Sequence, residues 1–311
     1  MESCCQSSVG LAEIINTCRA FYNSACLELY RNAIPGNNVE NLNNFIIKSK
    51  VPRKSMKSFF RNLQTFFPFL HDLRFSVSLA LNKLINRPHD ADFNALELFN
   101  PPPLSHIIDI GSNRGEAIAS MLLFCKDMSI VGFEPNPLVF VKLKKRFGDH
   151  PQVMLHNLGL GNSSDRFDLY VPFYRNWMFD GLASFNRKNA ADWLETRMWR
   201  YRPELQTIRQ VQCDIRKLDD FAFKPYFIKI DVQGYELNVL HGAVETLKSC
   251  YPILLIESIT EEIIQFLQPL GYKCYHFEHG AFEPGRGWPN TFCITDDKLN
   301  DMTVKKKIPV Y

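Results

Sequence analysis

The chain has 311 residues, 46% hydrophobic and 22% charged, with a formal net charge of +3. That composition suits a globular protein with one large domain plus an accessory region; it carries no nucleic-acid signature, and no nucleic-acid partner is expected. Nine cysteines with no CxxC pair and no regular spacing argue against a disulfide framework or a zinc site and read as free thiols in a reducing compartment.

The N-terminus lacks a basic segment followed by an apolar one. No run approaches the ~18 apolar residues of a membrane-spanning helix. A cytoplasmic protein is therefore expected. Up to about residue 95 the apolar residues recur at helical spacing, around Val9–Arg31, Met56–Phe67 and Leu70–Ile85. Between Lys48 and Arg87 lie nine Lys and Arg and a single acidic residue, Asp72, interleaved with Phe59, Phe60, Phe66, Phe67, Phe69 and Phe75. A basic, aromatic helical stretch suits an anionic membrane face or a phosphorylated lipid carrier. The alternative is a helical cap that buries its Phe side chains on the main domain. Pro101-Pro102-Pro103 ends any helix, so the expected division is a helical N-terminal region over 1–100 and a second domain over 101–311.

From residue 104 strands and helices alternate, which predicts an α/β domain with a mainly parallel sheet. Strands are expected at His106–Ile110, Ser129–Glu134, Val153–Leu158, Tyr226–Val232 and Ile253–Glu257, with shorter ones near Tyr272–Phe277 and Thr291–Ile294. Helices are expected at Glu116–Lys126, Pro137–Phe147, Leu237–Lys248 and Glu261–Pro269. An insertion, 159–224, should hold a hairpin over Arg166–Pro172, a helical piece over Lys188–Tyr201 and a strand over Thr207–Cys213. Its aromatic residues Tyr174, Trp177, Trp193, Trp199 and Tyr201 suit either stacking on a sugar or a small core of their own.

The first strand runs into Asp109-Ile-Gly111-Ser-Asn113-Arg-Gly115-Glu116, a tight glycine turn opening a helix. Gly111 and Gly115 let the backbone turn and a ligand approach closely, and Asn113 lies between them on the turn. The pattern is neither the GxGxxG of a pyrophosphate site nor a P-loop, and Asp109 would repel phosphate while suiting a cationic or amine-bearing ligand. Glu134 ends the second strand, twenty-three residues after Gly111, where an acidic side chain accepts from ribose hydroxyls. Ribose recognition without a phosphate loop favours S-adenosylmethionine over NAD. Asn157 and Leu158, at the end of the third strand, would then lie beside the adenine.

Residues 227–243, FIKIDVQGYELNVLHGA, form an apolar strand that ends in a carboxylate, turns at Gly234 and resumes at helical spacing. Ligands bind outside the carboxyl ends of such strands, which places Asp231 toward substrate. Lys229 lies on the same side of the strand, and Glu236 sits in the first helical turn. Metal-ligand spacing is absent, and no metal is expected.

Taken in order, IIDIGSNRGE (107–116), GFEPNP (132–137), LHNLGLGN (155–162), GLASFNR (181–187), IRKLDDF (215–221), the 227–243 segment and PILLIES (252–258) resemble the FkbM family of S-adenosylmethionine-dependent methyltransferases. The resemblance covers roughly residues 104–260. It implies a class I methyltransferase fold, Rossmann-like, with a seven-stranded mainly parallel sheet, helices on both faces and one antiparallel strand. It also implies methylation of a hydroxyl on a sugar, glycan or other small metabolite. Gln233 departs from it, since the family pattern carries Glu there. On this reading Asp231 is the base or the acceptor-orienting group, Lys229 or Glu236 tunes it by charge, and Glu257 contacts acceptor hydroxyls. Ser184 would line the pocket, and His156 is the imidazole nearest the crevice. A reductase would need GxGxxG and a Tyr-x-x-x-Lys pair, and neither is present. A non-catalytic module of the same fold, bound to a membrane or carrier, is the alternative.

Overall fold

The computed structural model describes residue 65 and residues 68–198 and 201–306. The helix expected at Val9–Arg31, the one at Met56–Phe67 (Thr65 apart) and most of the basic stretch from Lys48 lie outside the described residues. Helix α1 (Pro68–Leu84) matches the third predicted N-terminal helix. Among the described residues no helix is long and apolar enough to cross a membrane.

The strands that build the main sheet are β1 (His106–Ile110), β2 (Ser129–Phe133), β3 (Val153–His156), β8 (Pro225–Ile230), β9 (Ile253–Glu257), β10 (Tyr272–Glu278), β11 (Ala281–Pro284) and β12 (Asn290–Thr295). Their order is β11-β10-β12-β9-β8-β1-β2-β3. From β3 to β9 all pairings are parallel, and β12 runs antiparallel to both β9 and β10. The expected seven-stranded sheet therefore has an eighth strand. It arises because His279 and Gly280 both take positive φ, 51° and 83°, and make the two-residue turn that pairs β11 with β10.

Parallel strands covered on both faces read as unbroken apolar runs, and β8, PYFIKI, is buried at every position. Side chains alternate between two cores. Ile107, Phe227, Ile253, Leu255 and Phe292 face one. Ile108, Ile110, Ile228, Ile230, Leu254 and Ile256 face the other. Helix α2 (Glu116–Phe124) and the 3-10 segment Ala91–Leu98 cover the first face, because Ile118, Met121, Phe93 and Leu96 belong to its core. Packing thus does not divide at Pro101–Pro103: Phe93, Leu96 and Phe99 are buried with the sheet, and the compact unit holding the described residues begins at residue 60.

Helix α3 (Pro137–Phe147) starts where predicted, capped by the Asn136 side chain with Pro137 in its first turn. The helix expected over Leu237–Lys248 is instead two, α5 (Glu236–His241) and α6 (Val244–Cys250). The break falls at Gly242, where a Cβ would stand 1.8 Å from the Gly161 carbonyl oxygen, so backbone packs on backbone. Helix α7 (Glu261–Leu267) runs on into a 3-10 turn, and α8 (Asp296–Lys306) ends the described chain.

The insertion forms a second sheet, ordered β4 (Gly159–Leu160), β7 (Gln206–Arg216), β5 (Asp165–Tyr174), β6 (Trp177–Met178). The expected Arg166–Pro172 hairpin is a correction: those residues belong to one long strand paired with β7 along its length. Helix α4 (Arg187–Arg197) packs Leu194 and Met198 on the fully buried Tyr174, with Trp193 and Tyr201 against them. Of the two roles open to the insertion's aromatics, these take the core. Trp199 lies outside the described residues.

Candidate active site

The sheet's carboxyl edge opens into a cavity lined by Ile110, Gly111, Asn113, Phe133, Glu134 and Pro135 from the first two strand ends. Gly159, Leu160 and Leu169 come from the insertion, and Asp231, Val232, Gln233 and Tyr235 from the loop after β8. Asp180, Gly181, Ala183, Ser184 and Phe185 lie across it.

Glu134 is the best-held side chain in this wall. The backbone N–H of Asn113 donates to its Oε2 (2.8 Å), and that of Asn136 to its Oε1 (2.8 Å). Each oxygen keeps a lone pair for a further donor. Burial raises the Glu134 pKa to about 7 against these two N–H bonds, which favour the charged form. A ligand that donates hydroxyls there would restore the carboxylate. Asn113 takes φ 44° to aim its N–H at Glu134, and its buried Oδ1 has no hydrogen-bond partner.

The glycines of the turn have distinct causes. Gly111 (φ 83°) would put a Cβ 1.9 Å from the Asp231 carbonyl oxygen, so the two strand ends can meet only with glycine there. Gly115 lies off the cavity, where a Cβ would strike the Phe147 ring at 2.3 Å. It closes the contact between α2 and α3.

Asp109 departs from expectation. It is fully buried under the turn, does not line the cavity, and its carboxylate has no hydrogen-bond partner. Its ion pair is with Lys229, at 3.7 Å. The two are cross-strand neighbours on one face. Lys229 also reaches Asp231 Oδ2 at 3.2 Å. Burial opposes its charge, but Asp231 and Asp109 raise its pKa further, so it stays an ammonium.

Asp231 faces the cavity. Burial alone would raise its pKa, but Lys229, Glu257 and Gln233 hold it at about 2. Gln233 Nε2 donates to Asp231 Oδ1 (2.8 Å) and to Glu257 Oε2 (3.1 Å). The departure from the family pattern thus places a donor between two carboxylates, where Glu would add a third. Interaction with the neighbouring Asp231 carboxylate first, and burial second, lifts the Glu257 pKa to about 7.

Three expected roles change. Glu236 Oε1 accepts from the backbone N–H of Val232 (3.2 Å) and of Gly234 (3.0 Å), so this carboxylate fastens the turn instead of meeting a ligand. Asn157 spends its amide on the Glu134 carbonyl (2.9 Å), and Leu158 packs on the core. The cavity touches Gly159 and Leu160 in their place. His156 stacks on Phe133, with Phe221 and Phe223 edge-on to it. Ser184 does line the cavity, its Oγ accepting from the Asn186 N–H. Sequence reasoning missed Tyr235 and Asp180. The latter forms a buried ion pair with Arg114, which ties the insertion to the glycine turn, and no local signal marks a contact across 66 positions.

A mainly parallel α/β sheet extended by the antiparallel strands β12 and β11, with a glycine turn after the first strand and an acid ending the second, is a class I methyltransferase fold. The profile of the Methyltransferase FkbM domain matches residues 109–274, more than half of the chain, and the chain belongs to that family. It is 26% identical over 151 residues to Methyltransferase 1 of Beauveria bassiana, a match spanning 45% of this chain and 59% of that protein. Among solved structures it is similar to methyltransferase FkbM from Methylobacillus flagellatus KT, with 18% identity, TM-score 0.40, and coverage of 63% of this chain and 45% of the other. It is also similar to precorrin-6y C5,15-methyltransferase from Geobacter metallireducens GS-15, with 14% identity, TM-score 0.33, and coverage of 65% and 84%.

Proposed function

We propose that the protein transfers a methyl group from S-adenosylmethionine to a hydroxyl of a sugar, glycan or other small metabolite. The observation that carries this reading is Glu134, whose two oxygens are fixed by backbone N–H groups and whose remaining lone pairs suit paired ribose hydroxyls. Phe133, Leu160, Leu169 and Pro135 offer the apolar slot that an adenine needs, and the unpartnered Asn113 Oδ1 is a ready acceptor for the donor molecule's polar groups.

The sulfonium of that donor supplies a methyl group already activated for displacement. What remains for the chain is to position the acceptor and manage its proton. Asp231 is a weak base, because Lys229 holds it ionised. It is suited to accept a hydrogen bond from the acceptor hydroxyl and fix its orientation. Glu257, with a pKa of about 7, is matched to proton transfer near neutrality, and Gln233 keeps the two carboxylates together. Contact of the basic N-terminal region with a membrane or lipid carrier is a second part of the proposal, resting on its charge alone.

Tritium-labelled S-adenosylmethionine tests the transfer. Label should pass to hydroxyl-bearing glycosides and not to matched amines. Asp231→Asn should cut turnover at least tenfold while S-adenosylhomocysteine still binds with wild-type affinity. Loss of that affinity would make Asp231 a ligand of the donor, and transfer to amines alone would overturn the hydroxyl assignment.

A further inference from the structure

The β10–β11 hairpin, at the edge of the main sheet, carries a cluster of side chains that take no part in the cavity. His276 and Glu278 lie two residues apart on β10, so they share one face. The turn at His279 and Gly280 folds the chain back and sets Glu283 of β11 directly opposite His276. One ligand atom from each of the three lies within 4.8 Å of the other two. Positions 276, 278 and 283 match no zinc-motif spacing, and they meet only through the register of the hairpin.

The charge of the cluster is unbalanced. Two carboxylates converge, and among the described residues neither is ion-paired with a Lys or an Arg. Even a protonated imidazole would leave one negative charge over. The spacing is that of ligands around an ion. His276 Nε2 lies 3.4 Å from Glu283 Oε2 and 3.9 Å from Glu278 Oε2, both beyond the ~2.7–3.2 Å of an N–H···O bond. Two ligands about 2.1 Å from a tetrahedral zinc ion stand roughly 3.4 Å apart, which is the His276–Glu283 separation. Glu278 is the most exposed of the three and can close the remaining difference by turning its side chain. Nδ1 is buried without a hydrogen-bond partner, so Nε2 is the ring's outlet. All three side chains keep some contact with solvent, which leaves room for water as a fourth ligand. An imidazole beside two carboxylates suits zinc, whereas magnesium and calcium call for oxygen alone.

We propose that His276 Nε2 and the carboxylates of Glu278 and Glu283 bind a zinc ion, with water in the fourth position, and that the ion clasps β11 to β10. β11 is the outermost strand and has a hydrogen-bonded neighbour on one side alone, so a cross-link between side chains strengthens the sheet where its pairing ends. The site stands apart from the methyl-donor cavity and does not depend on the methyl-transfer reading.

Calorimetry with zinc chloride on the full chain, stripped of metal with EDTA, tests this. Wild type should bind one zinc with a Kd of about 10 μM or tighter, and a hundredfold excess over Kd should raise Tm by about 5–10 °C. His276→Gln and Glu283→Gln should each weaken binding by about a hundredfold or more, since losing even a group that only orients a metal ligand costs about ten- to a hundredfold. Without metal both should melt within about 2 °C of wild type. Glu278→Gln, at the most exposed position, should weaken binding likewise and keeps the test decisive if another variant melts low. One equivalent of cobalt, used as a spectroscopic probe, should show no thiolate charge-transfer band, because no cysteine takes part. Absence of zinc binding, a Kd weaker than about 10 μM, or wild-type affinity in the variants would overturn the proposal. A thiolate band would overturn it too, by placing the ion on cysteines.

Discussion

Replacing Lys229 with Met removes the cation that compensates two carboxylates. Its Nζ lies 3.7 Å from the fully buried Asp109 and 3.2 Å from the mostly buried Asp231. At an effective dielectric of about 20, each contact is worth roughly 4–5 kcal/mol before desolvation. Burying the ammonium cancels much of that, and breaking such a pair costs about 3–5 kcal/mol, since a charge is left alone. At roughly 2–4 °C per kcal/mol for a domain of this size, Lys229→Met should lower Tm at pH 7.5 by about 6–20 °C. The deficit should shrink in acid. With its cation gone, buried Asp109 keeps a pKa well above its unfolded value, so it destabilises the variant increasingly as pH rises above about 4. Asp231 acts in the same direction. Its depressed pKa stabilises the wild type above the unfolded value, and that benefit fades as pH falls toward about 2. Thermal melts of both proteins from pH 4 to pH 8 provide the assay. Parallel curves, or a deficit under about 1 kcal/mol at pH 7.5, would refute the reasoning.

The raised pKa of Glu257 means its ionisation costs stability as pH climbs toward about 7, so Glu257→Gln should match wild type at pH 4 and melt higher at pH 8. Gly242→Ala, which drives a Cβ into the Gly161 carbonyl, should cost about 1–3 kcal/mol or more in urea unfolding. Glu236→Ala should lose about 1–3 kcal/mol by leaving two turn N–H groups unpaired, whereas Glu236→Gln keeps the acceptor and should melt and turn over like wild type.

Much of the fold is written locally. The runs HIIDI, SIVGF and PYFIKI are mainly apolar because both faces of a parallel sheet are covered, and that marks them as central strands. Glu134 was legible for the same kind of reason: a strand end and a spacing from a glycine turn. What escaped the sequence depends on contacts between distant positions. The division of α5 from α6 follows from Gly161 pressing on Gly242, some eighty residues away. Glu236 looked like a site acid until its turn closed on it. Asp109 looked like a ligand until Lys229 was found opposite it on the next strand. Gln233 was a departure without a cause in the sequence, and the two carboxylates it bridges supply one.

The central claim is that Glu134 anchors the ribose of the methyl donor, and calorimetry with S-adenosylhomocysteine tests it most directly. Wild type should bind at one site per chain, more tightly at pH 8 than at pH 6, because hydroxyl donors favour the ionised Glu134, whose pKa without ligand is about 7. Glu134→Ala should weaken binding by about ten- to a hundredfold and flatten that pH dependence. No heat from wild type, or undiminished affinity in Glu134→Ala, would contradict the account.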